Sequence, residues 1–328
     1  MAPAEGKLAL VTGTGGFLGR EIAHTFKRAG YRVQGIGHGE RPHGPSDEPI
    51  VDGWTKSDVD YQPVRELVLR SGTPDIVVHA AGGSSVHTAR KAPLDDFRRT
   101  VAATAGVLEA LRETAPQARL LMVSSAAVYG NHHHGPIPED SPLDPISYYG
   151  VHKRAAEELC TAAARHWGLD LAVVRFFSLY GAGLRKQIFW DLSEKFRARP
   201  VRIELGGTGA ETRDFLHVQD AARLLLHLSD GSWGESPFIV NGGTGKATSI
   251  RQAAEELANA CSTTVNTVFD GHQRPGDPSH LVADTDRLHA CGFRPAVSLA
   301  DGLASFAEWH GKQPRETGEP LNRAEVAG

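Results

Sequence analysis

Short apolar runs at residues 7–11 (KLALV), 31–36, 74–82 (PDIVVHAAG), 118–123 and 171–178 have the length and the aliphatic content of buried strands. Between them, at 17–29, 64–71, 94–114 and from about 145 through 158, apolar residues recur at helical spacing. Strand followed by helix, repeated, predicts a doubly wound α/β fold with a mostly parallel sheet and right-handed crossovers. Beyond residue 180 the regularity breaks. An amphipathic stretch at 184–199 reads as a helix, 221–228 as another, 238–243 as a strand and turn, and Ser249 is placed to cap a helix over 250–260. The pattern divides the chain into a first domain over 1–180, to which a segment around 215–245 returns, a smaller mixed α/β lobe over 181–310, and a polar tail over 311–328.

At 328 residues the chain is long enough for one large α/β domain and an appended lobe. A net charge of −4 argues against a dedicated nucleic-acid or membrane-surface binder, so basic residues have to be read one at a time. The three cysteines, Cys160, Cys261 and Cys291, have neither disulfide-framework nor zinc-ligand spacing, and no metal is expected. With no long apolar run and no hydrophobic leader at the N-terminus, the expected compartment is a reducing cytosol, and no membrane partner is expected.

The first strand runs straight into Thr12-Gly13-Thr14-Gly15-Gly16-Phe17-Leu18-Gly19 and then a helix. Strand, glycine turn and helix are the context in which Gly13, Gly16 and Gly19 let a pyrophosphate approach backbone N–H groups at a helix N-terminus, with Phe17 and Leu18 in the same turn. A dinucleotide is the expected cofactor. At the end of the second strand, where an acid would bind the ribose of NAD, the chain has Gly37-His38-Gly39-Glu40-Arg41. His38 and Arg41 suit a 2′-phosphate, which favours NADP slightly over NAD; Glu40 is still able to reach a ribose. Ala80, Ala81 and Gly82 close the next strand with residues small enough for a cofactor to lie across it. Ser84, Ser85 and His87 follow, as substrate-side candidates or as ordinary polar loop residues.

The strand at 118–123 is followed by Ser124 and Ser125, and a hydroxyl at the carboxyl end of a parallel strand faces the crevice where open α/β sheets bind ligands; Ser125 is preferred. Tyr149 and Lys153, four apart, share a helical face, where an ammonium beside a phenol favours the phenolate and supplies a base usable near neutral pH. His132, His133 and His134 lie in a loop with no recognisable metal spacing and are read as a solvated rim of the site.

The ordered set TGTGGFLG, SSAAVYG, YGVHK, RFFSLYG, ETRDFLHVQD and RPGDP spans about 300 residues. It resembles the extended short-chain dehydrogenase/reductase family, more narrowly its nucleotide-sugar epimerase/dehydratase branch. The resemblance implies a Rossmann-like domain holding NAD(P), with a C-terminal lobe closing over a nucleoside-diphosphate sugar. It implies Tyr149 as catalytic base, Lys153 as holder of the nicotinamide ribose and acidifier of the tyrosine, and Ser125 as partner of the sugar oxygen being oxidised. Arg213 and Arg274 match positions that contact the substrate diphosphate, as forked guanidinium groups can. Ser178 stands where the family often has Asn, and Arg185 and Lys186 add two cations beside it, which either compensate or read an acidic sugar. Thr100 replaces another common Asn. The Asp-Glu pair of 4,6-dehydratases is replaced by Ala126 and Ala127, so water elimination lacks its acid and base. A 4-epimerase acting through a transient 4-keto sugar is the leading expectation. The rivals are an NADPH-dependent 4-keto-sugar reductase and, from another class, a non-catalytic dinucleotide sensor. A homodimer through the helices around 94–114 and 155–166 is usual in the family.

Overall fold

The computed structural model describes residues 6–44, 46–198, 200–231, 233–234, 236–272 and 278–314. Seven parallel strands form the main sheet: β1 (Leu8–Thr12), β2 (Arg32–Gly37), β3 (Gly53–Lys56), β4 (Ile76–His79), β5 (Arg119–Ser125), β6 (Leu171–Phe176) and β7 (Phe238–Gly242). Their order is β7-β6-β5-β4-β1-β2-β3, with Thr12 opposite His79 and Ser125 opposite Phe176. This is a Rossmann-like α/β fold. The chain's direction of travel reverses between β1 and β4, and at such a switch point the loops on either side part and leave a crevice beyond the strand ends.

β1, β4 and β6 are buried at every position, which accounts for their near-continuous apolar sequences. One face of the sheet packs on the helices Phe17–Arg28 and Val218–Asp230 through Ile22, Phe26, Leu224 and Leu228. The other packs on Tyr61–Ser71, Ala103–Thr114 and Tyr148–Trp167 through Leu67, Leu111 and Cys160. A separate core around Tyr180, Phe189, Trp190 and Phe306 is built by the helices Gln187–Arg197, Ile250–Ala260 and Leu299–Gly311. Its short strands pair among themselves, Arg202–Leu205 with Asn266–Phe269 and Thr212–Arg213 with Thr248–Ser249 and His280–Leu281.

Several elements differ from their sequence expectation. The helix expected from about 145 begins at Tyr148, because the Ser147 hydroxyl caps it by accepting from Gly150 N at 3.1 Å, and it continues to Trp167. The stretch 94–114 is three pieces: Pro93–Phe97, a π-helical turn Arg98–Ala102, and Ala103–Thr114. The extra residue in that turn carries Thr100 into the core, where its Oγ1 accepts from Gly83 N at 2.8 Å. The helix expected over 184–199 is confined to Gln187–Arg197. Ser249 caps Ile250–Ala260 by accepting from Gln252 N at 3.1 Å. Gly311 ends the last helix and Gln313 is bonded to Arg185 and Arg197, so the segment read as a tail starts anchored; its remainder lies outside the described residues. Among the described residues no helix is long and apolar enough to cross a membrane.

Candidate active site

A cleft of about 1470 Å³ opens beyond the carboxyl ends of the strands, between the sheet and the second core. Its floor at β1 is the glycine turn. Gly13 has φ +72°, and a β-carbon there would lie 2.8 Å from Ala81 N; one at Gly19 would lie 2.1 Å from Gly13 O. Gly16 N donates to Gly13 O at 2.9 Å, and Gly16 caps the helix Phe17–Arg28 without any side chain over its end. The N–H groups of the first turn therefore face the cleft unobstructed, with the positive end of the helix dipole behind them. Phe17, Leu18, Ala80, Ala81 and Gly82 line the same wall. This turn, whose close backbone packing a β-carbon at Gly13 or Gly19 would break, fits a dinucleotide pyrophosphate.

At the far end of that wall His38 lines the cleft and its Nε2 lies 3.1 Å from the Asp58 carboxylate, which lines it too. Arg41, expected on a 2′-phosphate, is turned away from the cleft. Its guanidinium donates to the carbonyls of Val51 and Asp52, and Glu40 pairs with Lys56 at 2.7 Å.

Ser125, Tyr149, Ser84 and Ser85 all line the middle of the cleft. Ser124 and Ser125 close β5 pointing opposite ways, as neighbours in a strand must. Ser124 is buried with its hydroxyl on Glu157, while Ser125 Oγ accepts from Ala127 N at 3.2 Å and lines the cleft beside Tyr149, whose pKa it lowers. Lys153 stands behind the wall, buried, its ammonium donating to Val123 O at 3.1 Å and lying 5.9 Å from the centre of the Tyr149 ring. Burial pushes that ammonium down to about 8, against the pull of Asp96 and Glu157. The phenol is also shifted by burial, but upward; Ser125 opposes the shift and Asp96 adds to it. The acidification of Tyr149 expected from Lys153 does not appear here: desolvation dominates and Ser125 is what opposes it.

On the opposite side Ser178, Lys186 and Arg213 line the cleft. Ser178 N donates to Asp214 O at 2.9 Å, and Arg213 Nη1 donates to the carbonyls of Thr212 and Pro278 at 2.9 and 2.7 Å. Asp214 is fully buried and accepts from Thr244 N, Gly245 N and Ala283 N at 2.8, 2.8 and 3.2 Å, which ties the Arg213 strand to the end of β7. Lys186 reaches across the cleft to Ser84 O at 2.9 Å, and burial lowers its pKa. Its neighbour Gln187, which also lines the cleft, holds φ +68°, a conformation uncommon outside glycine. Arg185 points elsewhere, bonded to Gln313 at 2.7 Å and lying over Trp190, so only one of the two expected cations reaches the cleft. Arg274 lies outside the described residues. His132 pairs with Asp144 at 2.7 Å on the exposed rim, and His133 sits edge-on to Tyr129.

Sequence reasoning did not single out Arg99 or Gln187, which line the cleft, or Asp96, which acts on Tyr149 and Lys153 from behind it, and it passed over Asp58 as part of a connection. For Asp58 a signal existed, a carboxylate just past a short strand next to β2.

Residues 9–241 match the NAD dependent epimerase/dehydratase family. The UDP-glucose 4-epimerase of Azospirillum brasilense is 28% identical over 335 residues, covering 94% of each chain. The dTDP-glucose 4,6-dehydratase of Streptomyces griseus is 29% identical, covering 95% of this chain and 96% of its own. Among solved structures, MoeE5 in complex with UDP-glucuronic acid and NAD superposes with a TM-score of 0.81 at 28% identity, over 94% of this chain and 99% of that one. The glycine cradle at the sheet's switch point and the match over most of the chain agree: this protein belongs to the NAD dependent epimerase/dehydratase family and is an NAD(P)-dependent enzyme.

Proposed function

We propose that the protein is a nucleoside-diphosphate-sugar 4-epimerase that uses NAD. The observation that carries the reading is the convergence of Ser125 and Tyr149, with Lys153 behind them, on one cleft that also holds the glycine cradle and Arg213. Gly13, Gly16, Gly19 and Ala81 would hold the dinucleotide, which when bound would supply reversible acceptance of a hydride from sugar C4. Tyr149, as the phenolate, takes the proton of the 4-hydroxyl and gives it back when the keto group is reduced, Ser125 holds that oxygen in line, and the Lys153 ammonium stabilises the phenolate before the proton is taken and after it is returned. Arg213 and Ser178 hold the diphosphate while the hexose turns, so binding energy far from the reacting carbon is spent on orientation there. Arg274 joins them on the family resemblance. Ala126 and Ala127 offer no acid or base for dehydration. NAD is preferred because Asp58 stands beside His38 at that end of the cleft, where its carboxylate would repel a 2′-phosphate, and Arg41, the second residue expected there, is engaged elsewhere. A homodimer is supported by apolar side chains left exposed on two neighbouring helices, Leu94 and Phe97 on one, Tyr148 and Val151 on the other.

The test is native mass spectrometry of the purified protein for retained cofactor and subunit number, followed by NMR of UDP-glucose incubated with it. Formation of the C4 epimer without added cofactor is expected. Tyr149→Phe should keep its dinucleotide and lose about 10²–10⁴ in kcat. Full turnover by that variant, or net NADPH consumption on a 4-keto sugar, would overturn the assignment.

A further inference from the structure

Beside the Tyr149–Lys153 pair stands a carboxylate that neither the motifs nor the proposed chemistry accounts for. Asp96, on Pro93–Phe97, is buried, and its Oδ2 lies 2.6 Å from Nδ1 of His152. An ionised carboxylate only accepts, so Nδ1 carries the hydrogen and donates. His152 immediately precedes Lys153 on the helix Tyr148–Trp167, and it is the third residue between the tyrosine and the lysine.

The loop after β4 locates Asp96 relative to Lys153. A β-carbon on Gly82 would lie 3.1 Å from Lys153 Nζ, and one on Gly83 would lie 1.8 Å from Asp96 Oδ1. Consecutive glycines thus leave room for the ammonium against one residue and the carboxylate against the next, where Cα atoms are only about 3.8 Å apart. The two groups are not directly paired. Asp96 is held by His152, Lys153 by Val123 O, and the carboxylate acts on the lysine through space between two buried side chains.

We infer that Asp96, held in place by His152, is a positioning residue that sets the pH window in which Tyr149 and Lys153 work. The inference rests on the proposed role of Tyr149 as base. A fixed negative charge favours the protonated form of both groups, and Asp96 raises the pKa of each. The other titratable groups facing Lys153 are Glu157 and Cys160 on its own helix and His79 on β4. Glu157 is held by Arg175 of β6, and burial keeps His79 neutral and Cys160 a thiol, which leaves Asp96, among the described residues, as the anion with no ion pair to a lysine or arginine.

The experiment is the pH profile of kcat for the holoenzyme with UDP-glucose as probe. In Asp96→Asn both limbs should move to lower pH, by on the order of one unit, because loss of the negative charge lowers both pKa values. A structural role alone would lower the profile without moving it, and an unmoved profile overturns the inference. Two further variants carry the test if Asp96→Asn does not accumulate as folded protein. His152→Gln keeps a donor to Asp96 and should hold the limbs at their wild-type positions; His152→Leu removes the donor that holds the carboxylate in place and should shift them. Identical profiles for these two also overturn it. Tyr149→Phe separates the underlying reading: if it retains turnover, the base assignment fails, whatever Asp96→Asn does.

Discussion

Replacing Glu157 by alanine removes the counter-charge of a guanidinium that water does not reach. Arg175 and Glu157 are both buried, and three contacts join them: Nε to Oε1 and Oε2 at 3.1 Å each, and Nη2 to Oε2 at 2.8 Å. Without them Arg175 keeps only Nη1 on Tyr129 Oη at 3.1 Å and on Glu139 O at 2.9 Å, and the Ser124 hydroxyl loses its acceptor. Breaking a buried pair from one side costs about 3–5 kcal/mol, a large share of a total stability of roughly 5–15 kcal/mol. Removing both charges is far milder, because the desolvation of two ions is then no longer required. Glu157→Ala should therefore shift the urea midpoint well below wild type, and Glu157→Ala/Arg175→Met should recover much of the loss. Intrinsic tryptophan fluorescence and far-ultraviolet circular dichroism, recorded together at pH 7, measure both. A single variant that loses less than about 1 kcal/mol, or a double variant as unstable as the sum of its singles, would refute the reasoning.

Gly19→Ala places a methyl 2.1 Å from a backbone oxygen of the same turn, so Gly13 must move by roughly 1 Å and the N–H cradle opens. Dinucleotide affinity, read by fluorescence titration, should fall by about tenfold or more, and an unchanged Kd would count against the cradle. His79 is wholly buried, with Nδ1 2.8 Å from Thr12 Oγ1 and Nε2 3.0 Å from Thr104 Oγ1. Burial, helped by Lys153, pushes its pKa from 6.5 to about 3. Between those values the unfolded chain binds the proton and the folded one does not, so stability is lost as pH falls, at up to about 1.4 kcal/mol per pH unit. His79→Gln should flatten that acid limb in urea titrations run from pH 7 to 4, and the same slope in both proteins would refute the assignment.

What could be read in advance and what could not divide along a physical line. The glycine turn, Ser125 at a strand end, and Tyr149 with Lys153 one helical turn apart depend on backbone geometry that a few consecutive residues determine, and each lines the cleft or stands directly behind its wall. Arg41 and Arg185 failed because a long side chain is placed by its partners. For Arg185 the partner is Gln313, 128 residues away in sequence. The π-helical turn at Arg98–Ala102 was hidden because one added residue leaves the apolar period nearly intact on either side. Glu157 and Asp96 read as ordinary polar positions on exposed helices, and only Arg175, charged within the apolar run LAVVRF, hinted that a buried partner had to exist. The groups that line the cleft through backbone geometry are thus encoded locally, whereas the buried charges around them are encoded in tertiary contacts. Two relatives with the same Tyr-x-x-x-Lys motif should then share the proton-transfer step and still differ in its pH optimum, according to what stands where Asp96, His152 and Glu157 stand here.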